Sequence, residues 1–352
     1  MSAAASRSHT VAFAPGRVNL IGDHTDYSGG LVCPMAIDLG TTVDLVRGGN
    51  FVELSSSIEP QPAHIPLAVV DPHTVEPAWA RYVAGVVAAL QPSSGATGRV
   101  TTTLPVGAGL SSSAALELAV AMALGGDALD PDELAHLCQR AEHLASGVPC
   151  GIMDQLIGAT GVAGHALIID CTTLERTPVP IPPDAEIVVV HSGESRSLAS
   201  SAYAERRAQV EAAEAALGDP LRAARPADVA HIADPVLRRR ARHVVTENVR
   251  VRQFATALGA GDLVGAGTLM NESHISLSDD FEVSTPTVDA LAARVRSRPG
   301  VWGARLTGAG FGGCVVALCR PGAIPAGTAT HAADANSRTW SVRASAGARL
   351  VS

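Results

Sequence analysis

Gly16-Arg-Val-Asn-Leu-Ile-Gly-Asp-His-Thr-Asp-Tyr-Ser-Gly-Gly30 gathers Arg17, Asn19, Asp23, His24, Thr25, Asp26 and Tyr27 in a chain that is 47% hydrophobic and only 17% charged. Phe13 to Ile21 reads as a strand entering a turn, and Gly29-Gly30 close that turn. The far end of such a strand offers hydrogen-bond donors and acceptors at once, which a ligand rich in hydroxyl groups, such as a sugar, requires. A solvated turn is the competing reading. It sits poorly with an Arg, two Asp and a His crowded where few other charges occur.

Three further segments carry chemistry. Leu104-Pro-Val-Gly-Ala-Gly-Leu-Ser-Ser-Ser-Ala-Ala115 is a strand end, a small-residue turn and the start of an apolar helix. A helix start leaves about four backbone N–H groups without partners and carries roughly half a positive charge. Glycines let a phosphate approach those amides. Phosphate binding and a simple serine cap fit this segment equally well. In Leu306-Thr-Gly-Ala-Gly-Phe-Gly-Gly-Cys314, four glycines between two strands form either a plain hairpin turn or a loop whose backbone lies against something. No long helix follows, so nicotinamide binding is a poor fit. Glu142 to Gln155 places Asp154 among apolar neighbours, where a carboxylate needs a cation, and Arg17 is the natural partner. A helix-capping role is the alternative.

Composition narrows the rest. At 352 residues the chain is long enough for two domains. A net charge of −8 speaks against non-specific nucleic-acid binding. No apolar run approaches the ~18 residues of a membrane span, and the first ten residues lack the apolar core of a secretory signal. Six scattered cysteines without CxxC spacing read as reduced thiols and not as a zinc site. A cytoplasmic monomer with small-molecule partners is expected. All 26 basic residues are arginine. Without lysine the chain has neither a Walker-type P-loop nor a protein-kinase strand lysine, and side-chain Schiff-base chemistry is excluded.

Mixed strands and helices along both halves indicate an α+β architecture. Strands are expected over 11–22, 37–47, 99–104, 165–170, 186–190, 302–307 and 313–318. Helices are expected over 79–90, 112–124, 131–146, 151–159, 198–216, 235–258, 262–276 and 285–296. The start chemistry at Asp130-Pro131, with Asp132 and Glu133 in the first turn, is the best defined of these. The Pro-rich stretch Thr177 to Asp184 is the candidate boundary between the halves.

Taken together and in this order, the segments resemble those of the GHMP small-molecule kinases and, within them, the galactokinase family. Gly16–Gly30 is similar to the sugar signature, Leu104–Ala115 to the phosphate loop and Leu306–Cys314 to the third motif. The likeness continues in Gly151-Ile-Met-Asp-Gln155, Ser197-Leu-Ala-Ser-Ser-Ala-Tyr-Ala-Glu-Arg-Arg207 and Asp279-Asp-Phe-Glu-Val-Ser284, so it covers nearly the whole chain. The resemblance implies an N-terminal domain of mixed sheet and helices over 1–180, an α+β C-terminal domain over 181–352, and an active site between them. It implies ATP-dependent phosphorylation of galactose at the anomeric hydroxyl, with Mg2+. By the same resemblance, Arg17 sits beside the transferred phosphoryl group. Asp154 abuts the attacking hydroxyl, as base or as electrostatic support. Asp23, His24, Asp26 and Tyr203 lie at the sugar, and Trp79 lies near adenine. Gly107, Gly109, Leu110, Ser111, Ser112, Ser113 and Ala114 surround the phosphates, and Ser113 and Glu142 hold the magnesium.

One departure matters. The family usually has Glu where this chain has Asp23, and that glutamate reaches the C6 end of the sugar. Asp is shorter by ~1.5 Å, so recognition there is expected to be looser, water-mediated or tuned to another sugar. A kinase for L-arabinose, galacturonate or an N-acetylhexosamine therefore stays open. A catalytically silent sugar sensor is disfavoured by the intact Gly109–Ala114 run and by Arg17 and Asp154.

Overall fold

The computed structural model describes residues 8–105, 107–194, 199–325, 327 and 338–351. Val106, Ser197, Leu198 and the start of the chain that bears on a secretory signal, residues 1–7, lie outside the described residues. The first half runs through β1 (His9–Asn19), β2 (Leu31–Val32), β3 (Pro34–Arg47), β4 (Phe51–Ser56), β5 (Ala63–Pro66), α1 (Ala80–Leu90), β6 (Ala96–Thr102), α2 (Ser112–Ala123), α3 (Pro131–Ser146), α4 (Met153–Thr160), β7 (His165–Asp170) and β8 (Arg176–Pro180). The second half adds β9 (Glu186–His191), α5 (Ala199–Leu217), α6 (Pro235–Gly259), α7 (Leu263–Asp279), α8 (Pro286–Arg296), β10 (Val301–Thr307), β11 (Cys314–Cys319), β12 (Thr339–Val342) and β13 (Arg349–Leu350).

Three sheets result, in the orders β13-β1-β3-β6-β4-β5, β10-β11-β9-β12 and β2-β7-β8. The first packs against α1, α2 and α3 around a core that includes Val43, Leu54, Val83, Leu118 and Leu134. A second core joins the halves, with Leu20, Ile21 and Leu110 packed with Val189, Phe254, Met270 and Val316. β13 carries the end of the chain back to β1 in the first sheet. The stretch proposed as a boundary begins as a strand, since Thr177 to Pro180 lie in β8, paired with β7.

Two local features aim the functional residues. The β1–β3 register slips between Pro15 and Arg17. A bulge of this kind bends a strand and redirects a side chain. The slip brings Gly16 so close to Leu110 that a Cβ on it would lie 2.6 Å from the Leu110 carbonyl, and the Arg17 N–H donates to that same carbonyl. The sugar-signature strand is thus fastened to the loop before α2. Helix α3 starts as its sequence predicts, with an Asp130/Glu133 capping box and Pro131, and ends on Gly147 in the left-handed region. The chain then crosses to α4, whose first turn carries Asp154.

Candidate active site

A cavity of about 630 Å³ draws its lining from both halves of the chain. At its centre Arg17 grips Asp154 with two bonds, Nε to Oδ1 at 2.7 Å and Nη2 to Oδ2 at 2.8 Å. The remaining Arg17 nitrogen, Nη1, donates to the Gly109 carbonyl at 2.7 Å. Ser111 adds a hydroxyl bond to Asp154 Oδ2. Fork-on-carboxylate pairing fixes geometry as well as charge. The pairing expected from the sequence is therefore present, and it ties the loop before α2 to the first turn of α4.

That loop is not capped in the ordinary way. Ser111, the residue before α2, sits at φ 58°, ψ 49° and makes no side-chain cap, because its hydroxyl turns to Asp154. The first N–H groups of α2 are left without a side-chain acceptor beside the cavity, where Gly107, Gly109, Ser112 and Ser113 form the wall. Gly107 and Gly109 take φ of 72° and 74°, and a Cβ on Gly107 would meet nothing within 4 Å. Of the two readings of this segment, the simple cap is the one the geometry leaves out. Leu110 and Ala114, also expected around the phosphates, are not among the residues that line the cavity. Both are 1% exposed, with Leu110 packed in the shared core and Ala114 on the buried face of α2. What either offers at the loop is backbone only.

At the other end, His24, Asp26 and Tyr203 converge. His24 donates from Nε2 to the Ala309 carbonyl at 3.1 Å, since a carbonyl only accepts. Its Nδ1 then accepts from the Tyr27 hydroxyl at 3.1 Å. Burial lowers its pKa to about 3, so the ring is neutral. Both ring nitrogens are committed within the protein, and His24 reaches a ligand only by sharing or exchanging one of these bonds. Tyr203 on α5 packs beside it, with ring centres 5.5 Å apart. Asp26 is pushed up to about 6 by burial and then by the neighbouring Asp154 charge. Asp23 is 2% exposed and pairs with the fully buried Arg305, while its other oxygen accepts from the Gly308 N–H at 2.9 Å. The glycine-rich loop between β10 and β11 is thus a hairpin turn whose backbone lies against Asp23 and His24.

Glu142, near the end of α3, faces Ser113 and the fully buried Glu117. Burial, and then the neighbouring carboxyl, pushes Glu117 well up, and burial also raises Glu142. Glu117 Oε1 and Gln155 Oε1 have no hydrogen-bond partner. The Glu142 carboxyl and the Ser113 hydroxyl stand on the cavity wall and form a hard-oxygen donor pair that suits Mg2+. Among the described residues no group of three or more His, Cys, Asp or Glu gathers around one point. Two protein donors leave the other positions of such an ion to phosphate oxygens and water.

The cavity therefore unites Arg17, Asp23, His24, Asp26, Trp79, Gly107, Gly109, Ser111, Ser112, Ser113, Glu142, Asp154 and Tyr203, all named from the sequence. The Trp79 indole is fixed by donating to the Gln61 carbonyl at 3.0 Å. The sequence reading missed His73, Arg81 and Tyr82 beside Trp79, and Gly151 against Asp26. It also missed Arg305. A signal existed for two of these, because Gly151 opens the quoted Gly-Ile-Met-Asp-Gln stretch and Arg305 directly precedes the third motif.

Comparison with known proteins agrees with this geometry. The chain matches the galactokinase galactose-binding signature over residues 3–45, the N-terminal domain of GHMP kinases over 81–161 and their C-terminal domain over 254–340. It is 46% identical over 328 residues to a galactokinase of Roseiflexus sp. (strain RS-1), covering 88% of this chain and 83% of that one. It is 45% identical over 333 residues to the Homo sapiens galactokinase, covering 89% and 84%. The chain belongs to the galactokinase family of GHMP kinases. Its fold superposes on the Lactococcus lactis galactokinase complexed with galactose with a TM-score of 0.90 at 33% identity, over 98% of this chain and 95% of that one. The Methanococcus jannaschii mevalonate kinase shares the fold alone, at a TM-score of 0.66 and 20% identity, over 97% of this chain and 100% of that one. Galactokinase-family membership makes this chain a sugar kinase with ATP as its phosphoryl donor, and no helix among the described residues is long and apolar enough to cross a membrane.

Proposed function

We propose that this enzyme transfers the γ-phosphoryl group of ATP to the anomeric hydroxyl of D-galactose, giving galactose 1-phosphate and ADP. The observation that carries the reading is Asp154, held by Arg17 and Ser111 between the uncapped start of α2 and the polar end formed by His24, Asp26 and Tyr203. A nucleotide triphosphate fits the first side and a polyhydroxylated substrate the second. Phosphoryl transfer has a loose transition state and is accelerated mainly by positioning and charge stabilisation. The backbone N–H groups of α2 and the Arg17 guanidinium meet the developing negative charge without any lysine. Asp154 accepts the hydrogen bond of the anomeric hydroxyl and orients its oxygen toward phosphorus. The O–P bond forms as the bond to ADP breaks, and the proton passes to Asp154 late. Ser113 and Glu142 would hold Mg2+, which when bound neutralises phosphate oxygens of the nucleotide. Trp79 offers a face for adenine. We place the enzyme in the cytoplasm, as a monomer.

The test is ADP release with Mg-ATP against galactose, 2-deoxygalactose, galactosamine, N-acetylgalactosamine, galacturonate, L-arabinose and glucose. Galactose is expected to give the highest kcat/KM by a wide margin. Asp23 already binds Arg305 and Gly308, so its carboxylate is anchored toward the second half and its length need not decide the sugar. A higher kcat/KM for L-arabinose or galacturonate would reassign the substrate.

Asp26 adds a pH signature. Its folded pKa of about 6 lies above the ordinary 3.8, so the folded protein holds a proton that the unfolded chain has lost between those values. Stability therefore falls as pH rises through that window, and the loss is complete above about 6. Asp26→Asn is expected to raise Tm by several degrees at pH 7.5 and to leave it almost unchanged near pH 4. For the wild type, galactose KM is expected to rise as pH falls through about 6, because a protonated Asp26 accepts fewer hydroxyl hydrogen bonds. A flat KM between pH 5 and 8 would remove Asp26 from sugar recognition.

A further inference from the structure

The polar turn that carries Asp23, His24 and Asp26 is encoded near the start of the chain, yet its backbone is held from the second half. The Gly22 N–H donates to Glu247 Oε1 at 3.0 Å, across 225 residues of sequence. One helical turn earlier on α6, His243 donates from Nε2 to the Asp23 carbonyl at 3.0 Å, and its Nδ1 accepts from Ser276 at 2.9 Å. Next to Glu247, Asn248 Oδ1 accepts from the Leu31 N–H at 2.7 Å. The two ends of the turn are thus gripped by consecutive residues of one helix, and the first end is held again, one residue on at Asp23, by a third residue on the same face. Thr25 closes the turn internally, donating to the Gly22 and Leu31 carbonyls.

Glu247 is unusual in its own right. It is fully buried, a position that carboxylates rarely occupy unless paired. Burial alone would raise its pKa, but the Arg250 and Arg305 charges and the Ser273 hydroxyl bond oppose that, and it is lowered to about 2. Arg250 Nε donates to Oε2 at 2.7 Å, and Ser273 donates to Oε1. The fixed anion faces a turn with little freedom. Gly22 is at φ +95°, and a Cβ there would lie 2.7 Å from the Leu31 carbonyl and 2.9 Å from the Val251 methyl on α6. Glu247 touches neither the cavity nor the reacting groups, since it is absent from the cavity lining. A buried charge with three hydrogen-bond partners, one of them the backbone of the sugar turn, has more to do than fill space.

We infer that helix α6 is the template for the sugar turn, with Glu247 as the positioning residue for sugar binding and Asn248 and His243 as its flanking grips. The inference rests on the galactose reading for its kinetic readout. In Glu247→Met, which has similar length but no acceptor, galactose KM is expected to rise at least ~10-fold, while kcat at saturating sugar and the ATP KM stay within about two-fold. Glu247→Gln keeps an oxygen for Gly22 and is expected to restore most of the affinity. Asn248→Ala is expected to raise galactose KM several-fold. Phe254→Leu, a buried change on the same helix away from the turn, controls for stability and is expected to leave galactose KM unchanged at a comparable loss of Tm. An unaltered KM in Glu247→Met, or an equal rise in Phe254→Leu, overturns the inference. If Glu247→Met does not fold, Asn248→Ala decides it by the same criterion. Hydrogen–deuterium exchange over residues 20–32 reads the same clamp without sugar, and the inference requires faster exchange in Asn248→Ala. Wild type that fails to phosphorylate galactose while showing this exchange difference sinks the galactose reading and leaves the template standing.

Discussion

Asp154→Asn is expected to lower kcat by roughly 10²–10⁴-fold, the range set by loss of a positioned acid–base group, while galactose Kd changes by no more than a few-fold. The reason lies in how many donors converge on this carboxylate. Oδ1 accepts from Arg17 Nε, and Oδ2 accepts from both Arg17 Nη2 and Ser111. An asparagine keeps one oxygen for Nε but presents an NH2 group to Nη2, donor against donor. Ser111 can rotate to accept, whereas a guanidinium has no acceptor to offer. Arg17 therefore loses half of its fork and is free to turn away from the phosphoryl position, and the hydroxyl loses its acceptor in the same step. The two losses act on the transition state, so kcat falls and binding does not. Steady-state kinetics with calorimetric titration of galactose separates the two. A variant with near-normal turnover would exclude Asp154 from the mechanism.

Much of this site was legible because its parts are contiguous. Sugar turn, phosphate loop and glycine-rich hairpin each occupy about a dozen consecutive residues, and each announces itself through residue types that a core would not choose. The helices and most of the main strands were equally readable, but β4, an interior strand of the first sheet, was missed. Asp130-Pro131 and Gly147 mark the ends of α3 by capping chemistry alone, and the core strands β9 and β11 are nearly continuous apolar runs. Sheet edges were not readable. β2 and β13 are two residues long, and β5 is four residues ending in Pro66, too short for any period to show. Those strands exist because a neighbouring strand supplies hydrogen bonds, which is tertiary information.

The same distinction separates the site residues found from those missed. Leu110 and Ala114 carry the loop's pattern, but which way a side chain points at the start of α2 depends on the core beneath it. Glu247 and Asn248 look like ordinary polar residues of an amphipathic helix, and nothing local marks them as facing inward onto another segment. Arg305 sits in an apolar strand and is fully buried only because Asp23 meets it from the other half. A buried ion pair of this kind is costly to break from either side. It makes the relation between sugar turn and hairpin loop a single arrangement and not a range of them.

That rigidity sets the expected result for Gly151→Ala, a change of one methyl group. An ideal Cβ on Gly151 would lie 1.8 Å from Asp26 Oδ2 and 2.3 Å from its Cγ. Gly151 is buried and does not have a positive φ, so alanine suits its backbone and the whole conflict falls on the carboxylate. Relief to an ordinary contact requires a shift of ~1.5 Å, and a misplacement of ~1 Å in a reacting site can cost ~10²-fold. Asp26 has little room to yield. It accepts from the Tyr27 N–H, Asp154 repels it, and α6 fixes the turn beneath it. Galactose kcat/KM is therefore expected to fall ~10²-fold, mostly through KM, with ATP KM little changed. A double-mutant cycle with Asp26→Ala isolates the cause. Once the carboxylate is gone, adding Gly151→Ala should cost almost nothing further, because the clash has lost its second partner. Additive losses in the cycle would show that the methyl group acts elsewhere, and a wild-type kcat/KM in Gly151→Ala would show that Asp26 moves without consequence for the sugar.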